Sequence, residues 1–96
     1  MRVRYTSRAR DDLRDIVGYL DEHSPMAAKA VRGVIERSIA LPADFALMAR
    51  ASDIASVREL TIARYPYKIY YAVEAEEIWI LHIRDARRRP WSEEHR

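Results

Sequence analysis

The chain has no cysteine, which excludes disulfide staples and thiolate metal sites at once. Glycine is almost missing as well: Gly18 and Gly33 stand far apart, so no glycine-rich loop is available to cradle a phosphate. Apolar runs are only a few residues long, far short of the roughly 20 needed to cross a bilayer. No long apolar stretch follows the charges of Met1-Arg2-Val3-Arg4-Tyr5, so the start does not read as a signal peptide. Histidine and acidic residues form no ligand set of metal-binding spacing. The expectation is a cytoplasmic protein without membrane association, metal or cofactor. Lysine is also scarce, since of 17 basic residues all but Lys29 and Lys68 are arginine. Arginine presents a planar fork of donors that suits carboxylate, phosphate or aromatic partners.

What remains is an ordinary globular composition, 49% apolar and 33% charged, over 96 residues. That length suits a single domain, residues 1–96, with one modest core. A net charge of +2 is too small to make the whole molecule a trap for polyanions. Distribution matters more: Arg84, Arg87, Arg88 and Arg89 crowd together near the end and are closed by Pro90-Trp91.

Val3 and Tyr5 share one face of a short β-prone segment, Arg2 to Tyr5. Thr6 or Ser7 can cap a helix whose positive end lies near Asp11 and Asp12. Within it Leu13, Ile16, Val17 and Leu20 recur at i, i+3, i+4, i+7, while Arg10, Asp11, Arg14 and Asp15 take the solvated side. His23 meets the negative end. Ser24-Pro25 then restarts the chain, serine as cap and proline at the first helical position. The second helix is expected from about Pro25 to Leu41, with Ala27, Ala28, Val31, Val34, Ile35 and Ile39 inward and Pro42 as its stop. So short a break forces an antiparallel hairpin. Residues 43–55 read as a packed loop anchored by Phe45, Leu47 and Met48.

Three strands are expected next. Leu60 and Ile62 share a face of the first. In the second, Tyr67, Ile69, Tyr71 and Val73 alternate with Lys68, Tyr70 and Ala72. Glu74 to Glu77 is a tight turn lacking glycine and asparagine. The third, Ile78 to Arg84, is apolar on both faces and suits a central strand. The fold class is α+β: a helical hairpin packed on a small, mostly antiparallel sheet in the order β-α-α-β-β-β.

The sequence of words Val57-Arg58-Glu59-Leu60, Pro66-Tyr67-Lys68-Ile69-Tyr70-Tyr71-Ala72-Val73, Ile80-Leu81-His82-Ile83-Arg84 and Arg88-Arg89-Pro90-Trp91 resembles the RelE/ParE family of toxins from bacterial type II toxin–antitoxin modules. Asp12-Leu13-Arg14-Asp15-Ile16-Val17-Gly18-Tyr19-Leu20 is similar to the family's first helix, and the likeness spans nearly the whole chain. It implies the family fold and a labile cognate antitoxin that neutralises the chain. Leu13, Ile16, Leu20, Val31 and Ile35 are the expected antitoxin contacts, with operator DNA bound through the antitoxin.

The resemblance leaves two activities open. RelE-like members cut mRNA on the ribosome, and ParE-like members poison DNA gyrase without nucleolytic chemistry. Metal-independent RNA cleavage needs an activator for the ribose 2′-hydroxyl, an acid for the leaving oxygen and cations around the phosphorane. The catalytic set would be Lys68, Arg84, Arg87 and Arg88. The first strand of the set carries Glu59 instead of lysine, and a carboxylate there repels a scissile phosphate. Past the arginines comes Trp91, which has no ionisable proton to give. The ParE-like reading is therefore favoured, with no catalytic residues and with Arg84, Arg87, Arg88 and Trp91 facing the target. Asp85 is expected to order the arginines by bidentate pairing. His82 reads as a packed or edge histidine, Tyr67 and Tyr71 as core, Tyr70 as a candidate surface residue, and Arg58 as a cross-strand partner. A generic nucleic-acid-binding or interaction module, or an inactive relic, is the blander alternative.

Overall fold

The computed structural model describes residues 1–62 and 64–87, and the elements run β1(Arg2–Tyr5), α1(Ser7–His23), α2(Pro25–Asp44), β2(Arg50–Ala51), β3(Arg58–Thr61), β4(Tyr67–Glu74) and β5(Glu77–Asp85). The strands form one sheet in the order β1-β5-β4-β3-β2. Only the β1–β5 pair is parallel, with Val3 opposite Ile78 and Tyr5 opposite Ile80. The other pairs are antiparallel. The α+β class with a hairpin on the sheet is the arrangement expected.

Thr6 begins α1 by accepting the Ala9 N–H at 3.1 Å. Ser24 does two jobs in one residue. Its N–H closes α1 on the Leu20 carbonyl at 2.7 Å, and its hydroxyl caps α2 by accepting from Ala27. A single shared cap allows no separation between the helices, so they turn back on each other. Ala28 is buried in the first turn of α2.

Pro42 does not end α2. The helix runs on to Asp44 and closes when the Phe45 N–H reaches the Leu41 carbonyl at 2.9 Å. Proline in the last turn forfeits one backbone donor, but there the helix has few turns left to lose. Residues 43–55 also depart from expectation. Phe45, Leu47 and Met48 are 64%, 69% and 46% exposed, so they anchor nothing in the core. Arg50 and Ala51 add a short fifth strand paired to β3.

The core lies between the hairpin and one face of the sheet. Ile35, Ile69, Tyr71, Ile78 and Ile80 are fully buried there, and each isoleucine contributes roughly 2 kcal/mol by leaving water. A smaller cluster of Ile54, Val57 and Tyr70 covers part of the opposite face, with Leu81 against it. The β4–β5 turn places Ala75 and Glu76 at φ 48° and 63°, the left-handed signs of a type I′ turn built without glycine.

Candidate functional site

One irregularity decides which side chains meet. Tyr71 pairs with Ile80 and Tyr70 with His82, so Leu81 is an extra residue, a β-bulge in β5. Before it, Ile78 and Ile80 face the helices. After it the parity changes: Ile83 enters the core, while His82 and Arg84 share the outer face with Tyr70 and Lys68. A bulge re-aims side chains in this way because the period of two restarts with one residue added.

On that outer face the polar groups are bonded to one another. Glu59, opposite Tyr70, is only 8% exposed and accepts from Lys68 Nζ at 2.5 Å. Arg84 Nε donates to the Tyr70 hydroxyl at 2.8 Å, and its guanidinium carbon lies 5.7 Å from that ring's centroid. The Tyr70 and His82 rings stack at 5.8 Å. His82 Nδ1–H donates to Asp12 Oδ2 at 2.6 Å, and the same oxygen accepts the Ile83 N–H at 3.0 Å. A carboxylate only accepts, which fixes the ring proton on Nδ1.

Beside this row, α1 and the end of β5 enclose a groove of about 580 Å³ lined by Asp12, Tyr19, Tyr67, His82, Arg84 and Arg87 among others. At its end Asp85 holds Arg87 by two side-chain bonds, Nε to Oδ1 at 3.0 Å and a terminal nitrogen to Oδ2 at 2.7 Å. The carboxylate pushes the Arg87 guanidinium even further above its ordinary range. Burial, then the Asp85 charge, raises the Tyr67 phenol, so it stays neutral and a hydrogen-bond donor at physiological pH. Among the described residues, no group of three histidine or acidic side chains is placed to hold a metal ion. None of the helices among them is long and apolar enough to cross a membrane.

The family model for the ParE toxin of type II toxin–antitoxin systems matches residues 3–90. The chain belongs to the ParE toxin family. It is 32% identical over 83 residues to the candidate toxin Y4kP of Sinorhizobium fredii, covering 84% of this chain and 86% of that one. A structure from the chromosomal ParDE toxin–antitoxin system of P. aeruginosa superposes with a TM-score of 0.81 at 27% identity, covering 88% of this chain and 95% of the other.

Seen as a ParE-family chain, the residues singled out in the sequence divide. Arg84 and Arg87 lie together at the groove, and Lys68 sits beside Arg84 on the outer face. Arg88 and Trp91 lie outside the described residues. Three of the five expected antitoxin contacts lie in the core of the chain. Leu13, Val31 and Ile35 are 9%, 4% and 0% exposed, because the helical stripe a partner could use is the stripe the fold covers. Ile16 and Leu20 are half-buried against the core and line the groove. Tyr70 is buried instead of facing outward freely, and Arg58 reaches the Ala49 carbonyl at 2.7 Å instead of pairing across strands. Asp85 does order Arg87 as expected. Asp12 was missed. Its place near the helix's positive end suggests a dipole partner, yet Asp12, Ile16 and Leu20 stand at i, i+4, i+8, and a carboxylate on an apolar stripe signals a buried donor to be met.

Proposed function

We propose that residues 1–96 act as one cytoplasmic toxin domain that binds and poisons DNA gyrase, and that a cognate antitoxin neutralises it. The observation that carries the choice of target is the Glu59–Lys68 pair. Lysine at that place would be a cation for a scissile phosphate, but it is bonded at 2.5 Å to a carboxylate whose side chain is 9% exposed. Freeing the ammonium would leave an uncompensated anion in the sheet, and presenting the pair intact would offer phosphate no net charge. A nuclease reading therefore lacks its central cation. Arg84 bonds to the Tyr70 hydroxyl and Arg87 to Asp85, and with Arg88 and Trp91 they make up the proposed target-facing patch: guanidiniums for carboxylate or phosphate, an indole for a buried anchor.

The antitoxin reading shifts with the burial pattern. Among the large apolar side chains left exposed, Met1, Tyr19, Met26 and Val73 are scattered along the chain, whereas Leu41, Phe45, Leu47 and Met48 fall together in the stretch that leads into the edge strand β2. The opposite edge is less inviting, since β1 carries Arg2 and an Arg4–Glu77 ion pair. An antitoxin tail that adds to the β2 edge and covers these four residues suits the surface better than one laid on the helix core. In the assembled complex the antitoxin is the part that holds operator DNA.

Induced expression arrests growth under this reading, and co-expression of the neighbouring antitoxin gene restores it. A supercoiling assay with purified gyrase and primer extension on translating ribosomes, run in parallel, test the target. Inhibited supercoiling with intact mRNA is expected. Codon-positioned cuts with unimpaired supercoiling overturn the choice and return Lys68, Arg84, Arg87 and Arg88 to a catalytic role.

A further inference from the structure

We propose that Asp12 and Thr6 are positioning residues: from α1 and its N-cap they clamp the β5 bulge and thereby aim Arg84. β1 gives out at Tyr5, opposite Ile80, so beyond Ile80 that side of β5 has no strand neighbour. Backbone groups there must be met by something else, or their desolvation opposes folding. Helix α1 meets them. The Thr6 N–H donates to the Ile80 carbonyl at 3.0 Å, and its hydroxyl lies 3.2 Å from that carbonyl and 3.1 Å from the carbonyl of the bulged Leu81. Two turns later Asp12 Oδ2 accepts from the Ile83 N–H at 3.0 Å and from His82 Nδ1 at 2.6 Å. The extra residue is thus bracketed on both sides by side chains of one rigid element.

Parity gives the clamp its consequence. Without the extra residue, His82 and Arg84 would follow Ile78 and Ile80 toward the helices, and Ile83 would turn outward. With it, Arg84 lies on the outer face and its Nε reaches the Tyr70 hydroxyl at 2.8 Å. A guanidinium held in one orientation loses less freedom when it meets a partner. Helix α1 therefore sets the geometry of the arginine patch without belonging to it. The functional half of this inference rests on the target reading above, and its geometric half stands separately.

The test uses the full chain, labelled with 15N by cell-free synthesis, with two readouts: solvent exchange of the Arg84 Nε–H and the concentration that halves gyrase supercoiling. Asp12→Ala is expected to speed that exchange at least tenfold and to raise the inhibitory concentration at least tenfold. Asp12→Asn is the discriminating variant. One oxygen accepts both bonds in the wild type, so the amide oxygen can replace it, and both readouts should stay within threefold. Thr6→Val should move both readouts in the same direction as Asp12→Ala but less, and it serves if Asp12→Ala fails to fold. Unchanged Arg84 exchange in folded Asp12→Ala or in Thr6→Val overturns the clamp. Asp12→Asn as damaging as Asp12→Ala overturns it too, since charge and not placement would then matter. Faster exchange with full gyrase potency removes the functional half. If the wild type itself leaves supercoiling untouched, the target reading fails, and the exchange measurement still decides the geometry.

Discussion

The two faces of the sheet solve burial in opposite ways. Under the helices, Ile69, Tyr71, Ile78, Ile80 and Ile83 lose their water to aliphatic neighbours, and one continuous cluster results. On the other face, Glu59, Lys68, Tyr70, His82 and Arg84 lie along neighbouring strands and are held by ion pairs, hydrogen bonds and stacking. The first arrangement tolerates exchange of one apolar group for another of like volume. The second tolerates less, because removing the partner of a buried charge such as Glu59 leaves that charge desolvated and unmet. Stability thus concentrates on one face and geometric specification on the other.

The contrast is broken most severely by truncating the apolar side. Ile80→Ala, at a fully buried position of the main cluster, should cost about 2–5 kcal/mol in urea unfolding. Ile54→Ala, 2% exposed in the small outer cluster, should fall at the low end of the same range or below it, about 2 kcal/mol. Fewer neighbours surround Ile54, so the site relaxes more readily around the missing atoms. Equal costs for the two would mean that both faces share one core.

Next in size is the ion pair. Lys68→Met leaves the Glu59 carboxylate 8% exposed without its ammonium, and about 2 kcal/mol should be lost. Lys68 is itself 26% exposed as a side chain, which holds the figure below that of a fully buried pair. Glu59→Gln in the Lys68→Met background should return most of the loss, since the remaining amide carries no charge to desolvate. A double-mutant cycle with additive costs would show that the pair is uncoupled and that the outer face is merely solvated.

Much of this contrast was legible in the sequence, and the exceptions have one cause. Period-two alternation in Tyr67, Ile69 and Tyr71 marked the core face, and the apolar run from Ile78 marked a central strand. Ser24-Pro25 located the hairpin to the residue. Each of these is a local signal. The bulge at Leu81 is not, because an extra residue shows only against its partner strand, and everything downstream of it changes face. The sequence therefore placed Lys68 and Tyr70 on one face but could not say that His82 and Arg84 join them there. The pairings of Asp12 and Glu59 escaped for a related reason, as each joins a partner distant in sequence: His82 for one, Lys68 for the other. Pro42 and residues 43–48 failed differently. Apolar content there suggested anchoring, yet α2 continues to Asp44 and leaves those side chains outward.

The finest test compares adjacent tyrosines that face opposite ways. The Tyr71 hydroxyl donates to the Ala46 carbonyl at 2.7 Å under the helices, whereas the Tyr70 hydroxyl accepts from Arg84 on the outer face. Tyr71→Phe loses a donor to a backbone carbonyl and should cost about 1 kcal/mol at neutral pH. Tyr70→Phe should cost less, because the guanidinium it deserts still reaches solvent. Alkali then separates the faces further. Burial holds the Tyr71 phenol above its ordinary value of 10.0, so the folded chain keeps that proton after the unfolded chain has released it. Its contribution is fully present below about pH 10 and is lost as pH rises through the folded value. Wild-type stability should therefore fall above pH 10, and Tyr71→Phe should fall less steeply, so that the two curves converge. Tyr5 and Tyr67, also raised chiefly by burial, add a decline common to both proteins. Curves that stay parallel through that window would mean that Tyr71 ionises as readily in the folded chain as in the unfolded one, and that the helix-covered face admits water.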